Sequence, residues 1–497
     1  MAQSLPPCEV LVVGLGPTGA GLAALLAQRG VRVAVVERST APVGEPRAVH
    51  LDAETMRLLQ LVGLSSEELI ANTINSHGME YVEPSGAVIF NFEPFERPAV
   101  LGWSQDRMFH QPWLDRRMRG QLAESELVDL HLGRSVVSVQ QTDDHLVATL
   151  DDGSTIAAGW AVGCDGAAST MRKSVGVQLE DLGYDRRWVV IDLLVRDGVE
   201  LPHLVQQLCD PDRMGTFAPG TEQRCRIEFA LKDDETNEQM TDPDVVWSML
   251  DRWVSPEDAE IERVAVYRFH ALLPDRFGVG RMLLAGDAAH QMPPFMGQGL
   301  CAGLRDAANL AWKLAAVIRD GADESLVATY EHERRAHVRD VIDLSVLSGR
   351  TIETISEALV DGRTPELPPT SEETGWSRLP RLRGGLVADD AEWPVGNQGP
   401  QGTVRVGARD VLLDELGGYR FVVIARDPVT GLSADDAVGT LALHEYDGGR
   451  ALAELVLGDH HAVIWRPDRY VHAVAAGDEA VLRLVAEIRT LLGRGGR

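Results

Sequence analysis

The fold is decided near the N-terminus by the stretch Val10-Leu11-Val12-Val13-Gly14-Leu15-Gly16-Pro17-Thr18-Gly19, which joins an apolar run to a glycine-rich turn. Four consecutive apolar residues predict a strand that is buried on both faces. A helical pattern follows over residues 20–29, and Gly30 is well placed to end that helix. The apolar residues 31–36 predict a second buried strand, which ends at Glu37. The stretch therefore predicts a strand–helix–strand unit.

Three glycines in this turn follow the spacing Gly14-x-Gly16-x-x-Gly19, which is typical of dinucleotide binding when it lies between a strand and a helix. Gly14 permits the tight turn, Gly16 lets a pyrophosphate approach the positive end of the helix, and Gly19 lets helix and strand touch. Glu37, at the end of the second strand, can accept hydrogen bonds from the ribose hydroxyls of an adenosine. The alternative is a glycine-rich turn without a ligand, and the acidic residue after the second strand argues against it.

The composition limits the partners that the chain can have. It has 497 residues, 44% of them hydrophobic and 25% charged, which is enough apolar mass for two or three domains. A net charge of −28 argues against nucleic-acid binding through phosphates and against an electrostatic membrane anchor. There is no uninterrupted apolar run of about 18 residues and no pattern of a secretory signal. The sequence therefore predicts a cytoplasmic protein that binds neither nucleic acid nor membrane.

Cysteine and histidine spacing predicts neither a disulfide framework nor a metal site. The five cysteines are sparse and odd in number, and no C-x-x-C pair occurs. His50, His203 and His270 show no spacing that is typical of metal ligands. We therefore predict that the protein holds no metal.

Four further segments carry short motifs that are more specific than the glycine turn. They are Pro46-Arg47-Ala48, Phe109-His110-Gln111-Pro112, Gly163-Cys164-Asp165-Gly166, and the run Gly-Asp-Ala-Ala-His-Gln-Met-Pro-Pro-Phe-Met-Gly-Gln-Gly-Leu at 286–300. Together with the glycine turn, they resemble the fingerprints of class A FAD-dependent aromatic hydroxylases. The resemblance spans residues 10–320 and is strongest to the 3-(3-hydroxyphenyl)propionate hydroxylase type, with the polyketide-tailoring hydroxylases close behind.

The resemblance implies a flavoprotein monooxygenase with non-covalently bound FAD and with NAD(P)H and O₂ as co-substrates. Such an enzyme hydroxylates a phenolic or polycyclic aromatic substrate through a flavin C4a-hydroperoxide. No second G-x-G-x-x-G follows a strand, so NAD(P)H is expected to bind only transiently. Two alternatives stay open: an epoxidase or Baeyer–Villiger-type oxygenase on the same fold, and a non-catalytic FAD-binding protein. A homodimer is a further expectation.

The resemblance also assigns roles to single residues. Arg47 and Pro294 are expected at the reacting part of the flavin, Pro294 as a rigid wall and Arg47 as a contact to the ring or the phosphates. The predicted cofactor contacts are Gly14, Gly16, Pro17, Thr18, Gly19, Glu37, Arg38, Arg47, Gln111, Asp165, Asp287, Gly297, Gly299 and Leu300. Asp287 is expected to bind the ribityl chain, and the backbone at 297–300 the pyrimidine edge of the flavin. The alternatives are a surface charge for Arg47 and a helix cap for Asp165.

The predicted fold class is α/β, with a Rossmann-like FAD-binding domain, a β-rich substrate domain and a thioredoxin-like C-terminal domain. The FAD-binding domain is discontinuous, over 1–175 and 276–360, and the substrate domain covers 176–275. A stretch rich in proline, glycine and polar residues predicts a linker over 361–400. The domain at 401–497 contains no cysteine, so we predict a packing or dimer-forming role for it.

The sequence does not determine which residues contact the substrate, because it does not show which face of each strand points inward. The candidates in the β-rich region are Arg226, Tyr267, His270 and Met214. His290 lies inside the 286–300 motif and invites a catalytic interpretation. We predict a packed, structural histidine instead.

Overall fold

In the computed structural model, which describes residues 4–92, 100–142, 145–367 and 379–494, the predicted N-terminal strand lies inside a large sheet. The strands are β1 (Cys8–Val13), β2 (Val33–Glu37), β3 (His50–Asp52), β4 (Thr73–Asn75), β5 (Met79–Val82), β6 (Val88–Phe92), β7 (Asp106–Phe109), β8 (Val128–Leu132), β9 (Val136–Gln141), β10 (Leu146–Leu150), β11 (Thr155–Gly163), β12 (Leu179–Val195), β13 (Val205–Leu208), β14 (Gly215–Pro219), β15 (Arg224–Ala230), β16 (Ala259–Pro274), β17 (Gly278–Val279), β18 (Met282–Leu284), β19 (Thr403–Val406), β20 (Arg409–Leu412), β21 (Phe421–Ala425), β22 (Val438–Ala442), β23 (Ala462–Trp465) and β24 (Val471–Ala475). The α-helices are α1 (Pro17–Gln28), α2 (Ala53–Val62), α3 (Ser66–Asn72), α4 (Gln111–Ala123), α5 (Thr170–Ser174), α6 (Asn237–Met240), α7 (Pro243–Leu250), α8 (Gly299–Ala315), α9 (Ser325–Val360), α10 (Leu413–Gly417), α11 (Gly449–Leu457) and α12 (Asp478–Leu491).

The first sheet has eight strands in the order β17-β18-β11-β1-β2-β8, and β10 and β9 extend it from β11. β1 is parallel to both β2 and β11, and β18 is parallel to β11. The parallel arrangement brings the carboxyl ends of these strands to one edge, where ligands of open α/β sheets bind. Apolar residues of α1 and α8 pack on this sheet in one core cluster. The predicted strand–helix–strand unit is therefore present.

The second sheet has seven strands in the order β16-β12-β15-β14-β13-β5-β6. On one face, alternate residues of β12 and β15 pack against α7 in a separate apolar cluster. Two of its strands, β5 and β6, come from residues 79–92, whereas the sequence placed those residues in the FAD-binding domain. The predicted boundary at 176 therefore leaves part of this sheet out. The reason is that β5 pairs with β13, which lies more than a hundred residues away, and no local pattern encodes that pairing.

The C-terminal unit contains a four-stranded mixed sheet in the order β22-β21-β23-β24. β21 is parallel to β22 and antiparallel to β23. One face of this sheet packs against α12, and the other face packs against α11. Trp312 of α8 belongs to the first of these clusters, so the C-terminal unit rests directly on the first domain.

The predicted linker at 361–400 is not a free connection in its described part. Leu382 and Val387 are buried and form a cluster with Tyr470 of the C-terminal unit. The backbone N–H of Leu382 also donates to the carbonyl of Gly396 at 2.7 Å. Residues 379–400 therefore pack as part of the fold, and residues 368–378 of the predicted linker lie outside the described residues.

Among the described residues, no helix combines the length and apolar character that a membrane span requires. The same residues contain no group of three or more His, Cys, Asp or Glu side chains that could hold a metal ion.

Candidate flavin site

The glycine turn after β1 has the geometry that its spacing predicts. Gly14 has φ of 101°, and a Cβ there would lie 2.4 Å from the carbonyl oxygen of Cys164. A Cβ on Gly19 would lie 2.0 Å from the carbonyl oxygen of Gly14. Gly16 precedes α1, and a Cβ there would meet no atom within 4 Å. Close packing therefore requires glycine at positions 14 and 19, whereas Gly16 faces open space at the N-terminus of α1.

Helix α1 begins at Pro17, whose missing N–H would have no partner in a first turn anyway. Thr18 lies against the turn that follows β18 and against α8. A Cβ on Gly286 of that turn would lie 2.7 Å from Oγ1 of Thr18, and a Cβ on Gly303 of α8 would lie 2.2 Å from it. Thr18 thus fits α1 closely against the start of α8. Any contact of Pro17 or Thr18 to a cofactor stays a prediction.

Glu37 ends β2 beside the glycine turn. Its Oε2 accepts from the backbone N–H of Leu15 at 2.8 Å, and its Oε1 accepts from that of Ser39 at 2.9 Å. Each carboxylate oxygen has two lone pairs, so Glu37 is held in place and can still accept from two hydroxyl groups. Arg38, next to it, is exposed and makes no ion pair with the described residues.

The segment Pro46-Arg47-Ala48 is held by its backbone from two sides. Oε1 of Gln111, at the start of α4, accepts from the N–H groups of Arg47 at 3.0 Å and Ala48 at 2.7 Å. From the second sheet, Arg226 donates to the carbonyls of Pro46 at 2.6 Å and Arg47 at 2.8 Å. The Arg47 guanidinium is exposed and makes no hydrogen bond to the described residues. The predicted flavin contact Gln111 therefore positions this segment, and Arg47 is free to bind a ligand.

Asp287 lies on the turn that follows β18. Its carboxylate has exposed surface and makes no hydrogen bond to the described residues, although protein surrounds it. The surrounding protein raises the pKa of Asp287 by desolvation, and the charges of His290 and Arg47 oppose that shift. A strand-end carboxylate with free acceptor sites suits a ligand with several hydroxyl groups.

The loop between this turn and α8 is tightly folded. A 3₁₀ turn covers Pro294–Met296, and Gly297 follows with φ of 64°. A Cβ on Gly297 would lie 2.6 Å from Nδ1 of His50, whereas one on Gly299, the first residue of α8, would meet nothing within 4 Å. Leu300 follows, half-buried. The loop therefore presents an open helix N-terminus, where backbone N–H groups and the helix dipole favour negative charge.

His50 contacts the loop at Gly297, a role that its sequence context does not predict, since its spacing is compared only with that of metal ligands. Its Nε2 is 2.9 Å from Oδ1 of Asp106, and its Nδ1 is 3.4 Å from the carbonyl oxygen of Gly297. Burial alone would lower the pKa of His50, but its hydrogen bond to Asp106 and its interaction with the Cys301 side chain raise it above the ordinary value. Its position two residues before the end of β3 gives no local signal of this contact.

Asp165 caps α5. Its Oδ2 accepts from the backbone N–H groups of Thr170 at 2.7 Å and Met171 at 3.2 Å, and its Oδ1 accepts from the Ser169 hydroxyl at 2.5 Å. The helix-cap alternative thus describes its contacts within the chain, and a cofactor contact stays a prediction.

His290 is buried, and its Nε2 lies 2.7 Å from Oδ2 of Asp306. The other carboxylate oxygen of Asp306, Oδ1, accepts from Nε of Arg334 at 2.7 Å. Neighbouring charges hold the pKa of Asp306 below its usual value in spite of burial. These contacts are those of the packed histidine that the sequence predicts.

The four candidate substrate contacts do not form one group. Arg226 is held by Asp192 at 2.8 Å and by the backbone at 46–47. The Tyr267 hydroxyl accepts from Arg263 at 2.9 Å, and His270 lies 3.5 Å from Asp185. Met214 packs in an apolar cluster that also contains Phe295. Arg226 is therefore a positioning residue, and substrate contacts of the other three stay predictions.

The described residues fit an FAD. The open N-terminus at Gly16 suits the pyrophosphate, Glu37 the ribose, Asp287 the ribityl chain, and the open N-terminus at Gly299 the flavin edge that becomes negative on reduction. The parallel sheet and this site define an FAD-binding oxidoreductase.

Comparison with known proteins gives the family. Residues 7–345 match the model of the FAD binding domain family, and the chain belongs to that family. It is 36% identical to a probable NADH-specific resorcinol 4-hydroxylase of Rhodococcus jostii, over 86% of this chain and 81% of the relative. It is 34% identical to a 3-(3-hydroxy-phenyl)propionate/3-hydroxycinnamic acid hydroxylase of Klebsiella pneumoniae, over 97% of this chain and 95% of the relative. The resemblance to class A FAD-dependent aromatic hydroxylases is confirmed.

The fold is shared with solved structures over the whole chain. Aklavinone-11 hydroxylase in complex with FAD and aklavinone matches with a TM-score of 0.82 at 25% identity, covering 99% of this chain and 100% of that one. The flavin-dependent monooxygenase PieE, in complex with FAD and substrate, matches with a TM-score of 0.83 at 20% identity and the same coverage, which shows the fold alone.

Proposed function

We propose that the chain is an FAD-dependent monooxygenase that hydroxylates a phenolic ring with NADH and O₂. The observation that carries this proposal is its similarity, over most of both chains, to two relatives named for hydroxylating phenolic compounds. Single-ring phenols are favoured over polycyclic substrates, because these relatives are 36% and 34% identical, whereas the aklavinone hydroxylase is 25% identical.

Bound FAD, once reduced by NADH, supplies the oxygen chemistry. The residues of the chain bind it and exclude water: the Gly16 turn at the pyrophosphate, Glu37 at the ribose and Asp287 at the ribityl chain. Pro294 and the backbone that follows it border the reacting ring. The second sheet covers that space and orients the substrate, because a small misplacement of the reacting carbon slows the reaction strongly.

The test is NADH consumption by the FAD-loaded protein against a panel that contains resorcinol, 3-(3-hydroxyphenyl)propionate, their O-methyl ethers and an aromatic polyketide. We expect consumption to be stimulated by a phenol, and we expect mass spectrometry to show one oxygen atom from ¹⁸O₂ on the product ring. An ester or epoxide product would favour the alternative oxygenases. A yellow protein whose NADH oxidation responds to no compound would overturn the proposal in favour of a non-catalytic FAD-binding protein.

The proposal extends to the C-terminal unit and to the assembly. A mixed sheet between α11 and α12 supports a thioredoxin-like fold, and the absence of cysteine from residues 401–497 supports a packing role without electron transfer. A homodimer and a cytoplasmic location belong to the same proposal. Light scattering of the purified protein tests the dimer.

A further inference from the structure

One nearly buried carboxylate in the second sheet has no hydrogen-bond partner among the described residues. Glu228, on β15, is 8% exposed, and its carboxylate makes no hydrogen bond to the described residues. Its shortest ion-pair distance is 3.9 Å, to the guanidinium of Arg226. Arg226 itself is paired with Asp192, as is Arg263, each at 2.8 Å. Nearly buried polar groups in native proteins normally have hydrogen-bond partners, so the free carboxylate of Glu228 is a candidate ligand contact.

The alternation of side chains along β15 shows which way Glu228 points. Cys225, Ile227 and Phe229 pack in the apolar cluster with α7, on the face away from the first domain. Arg226 and Glu228 therefore share the opposite face. Arg226 reaches the carbonyls of Pro46 and Arg47, so this face is turned toward the flavin site.

A second contact fixes the other end of the same face. Trp188 pairs with Ala230 across β12 and β15, and its ring packs on Phe295 with centroids 5.4 Å apart. Phe295 belongs to the Pro294–Met296 turn. Glu228 pairs with Val190, so it lies between the contact at 46–47 and the contact at Phe295. The ring of Tyr184 also packs on Phe295. Burial raises the pKa of Tyr184, and the charges of Glu353 and Glu228 add to that rise.

We propose that Glu228 binds the phenolic hydroxyl of the substrate and accepts its proton. The proposal rests on the proposed function, because it places the substrate between the second sheet and the Pro294–Met296 turn. In this step the phenolic O–H bond breaks, a new O–H bond forms on the Glu228 carboxylate, and the electron pair stays on the phenolic oxygen. The ring carbons ortho and para to that oxygen then become more nucleophilic.

The surroundings of Glu228 suit this role. Burial raises the pKa of its carboxyl, with Asp192 adding to the rise and Arg226 and Arg263 opposing it. A base works best when its pKa approaches the working pH, so a raised value improves proton acceptance from a phenol. The free carboxylate also predicts a preference for substrates that carry a hydroxyl group, since a methyl ether would leave it unsatisfied.

The experiment uses the FAD-loaded protein with resorcinol, or with whichever phenol of the panel the wild type hydroxylates. Glu228→Gln keeps the shape but cannot accept the proton, and Glu228→Asp keeps the carboxylate. Glu260→Gln, an exposed carboxylate on β16 of the same sheet, is the matched control. We expect E228Q to bind FAD normally and to lose hydroxylation about a hundredfold or more, while E228D retains part of it and E260Q all of it.

Two further measurements separate proton transfer from a loss of structure. The acid limb of the hydroxylation pH profile should be present in the wild type and absent in E228Q. Calorimetric binding should favour the phenol over its O-methyl ether in the wild type, and Glu228→Leu should remove that preference. Hydroxylation by folded E228Q within threefold of the wild type would overturn the role of Glu228 alone. A wild type that hydroxylates no phenol would overturn the proposed function and this inference together.

Discussion

The two glycines at the start of α1 differ in what surrounds them, and substitution separates their roles. The position of a Cβ on Gly16 is open, so Gly16→Val should fold and yet place a side chain where the pyrophosphate would lie. The position of a Cβ on Gly19 is 2.0 Å from a backbone oxygen, so Gly19→Val should destabilise the turn itself. We expect G16V to purify folded and colourless, as measured by the flavin-to-protein absorbance ratio and by thermal melting. A fully yellow G16V would contradict this placement of FAD.

Arg47 is the second residue whose role can be tested alone. Its backbone is clamped by Gln111 and Arg226, so Arg47→Ala should leave the segment in place and remove only the free guanidinium. Its charge opposes the rise in the pKa of Asp287, the predicted ribityl contact, so we infer that Arg47 acts on the same predicted site. We infer that it helps set the balance between two flavin positions, of which substrate favours the one that NADH can reduce.

For Arg47→Ala we expect moderate FAD affinity and about tenfold slower substrate-stimulated reduction, which corresponds to ~1.4 kcal/mol. The measurement is anaerobic stopped-flow bleaching of the flavin, with and without an active phenol. Arg196→Ala, an exposed arginine in the second sheet's loop, is the control. A wild type that is reduced equally fast without phenol would exclude gating, and an unaffected R47A would exclude Arg47 from it.

At the scale of elements, α9 carries a buried histidine that makes stability depend on pH. Nδ1 of His337 lies 3.1 Å from the guanidinium of Arg334, which requires a neutral ring. Burial and the charges of Arg334 and Arg305 hold the pKa of His337 well below its usual value. The unfolded chain therefore binds more protons below about pH 6.5, so this contribution to stability is complete above that pH and falls as the pH falls.

The loss should reach at most about 1.4 kcal/mol per pH unit below pH 6.5. His337→Asn retains an acceptor near Nδ1 and does not titrate, so its free energy of unfolding should depend less on pH between about 6.5 and 5. His203→Asn, at an exposed position, should keep the slope of the wild type. Urea unfolding at several pH values measures both slopes, and equal slopes for wild type and H337N would contradict the assignment.

The sequence predicts a structural feature when the contacts that determine the feature are local. The β1–α1–β2 unit and the turn at Gly14 follow from neighbouring residues, and both are present. The membership of β5 in the second sheet depends on β13, far along the chain. Glu228 escaped notice because alternation along β15 fixes two faces but does not say which one meets the flavin site. Residues 379–400 have the composition of a linker, and only their partners in the C-terminal unit make them part of the fold.

At the scale of the whole molecule, buried charges join the C-terminal unit to the first domain. Arg57 of α2 donates two hydrogen bonds to Asp414, at 2.7 Å and 2.8 Å. Arg466 donates to both oxygens of Glu333 on α9, at 2.9 Å and 2.8 Å. Burial opposes ionisation of Asp414, but Arg57 and Arg469 hold its pKa below the usual value. Each of these pairs has one member in either unit, and Asp414 is the carboxylate that pairs with buried Arg57.

This arrangement predicts that the C-terminal unit is required for folding, and the absence of cysteine from residues 401–497 argues against a redox role for it. Asp414→Asn leaves Arg57 without its charge partner in a buried site, which should cost about 3–5 kcal/mol of unfolding free energy. Asp410→Asn breaks only the exposed pair with Arg405 and should cost less than about 1 kcal/mol.

A chain that ends at 367 should fail to give a soluble protein that unfolds cooperatively and binds FAD. Urea unfolding and flavin content measure all three, and a truncated chain that melts cooperatively and keeps FAD but is no longer reduced by NADH would show that the unit serves reduction instead of packing.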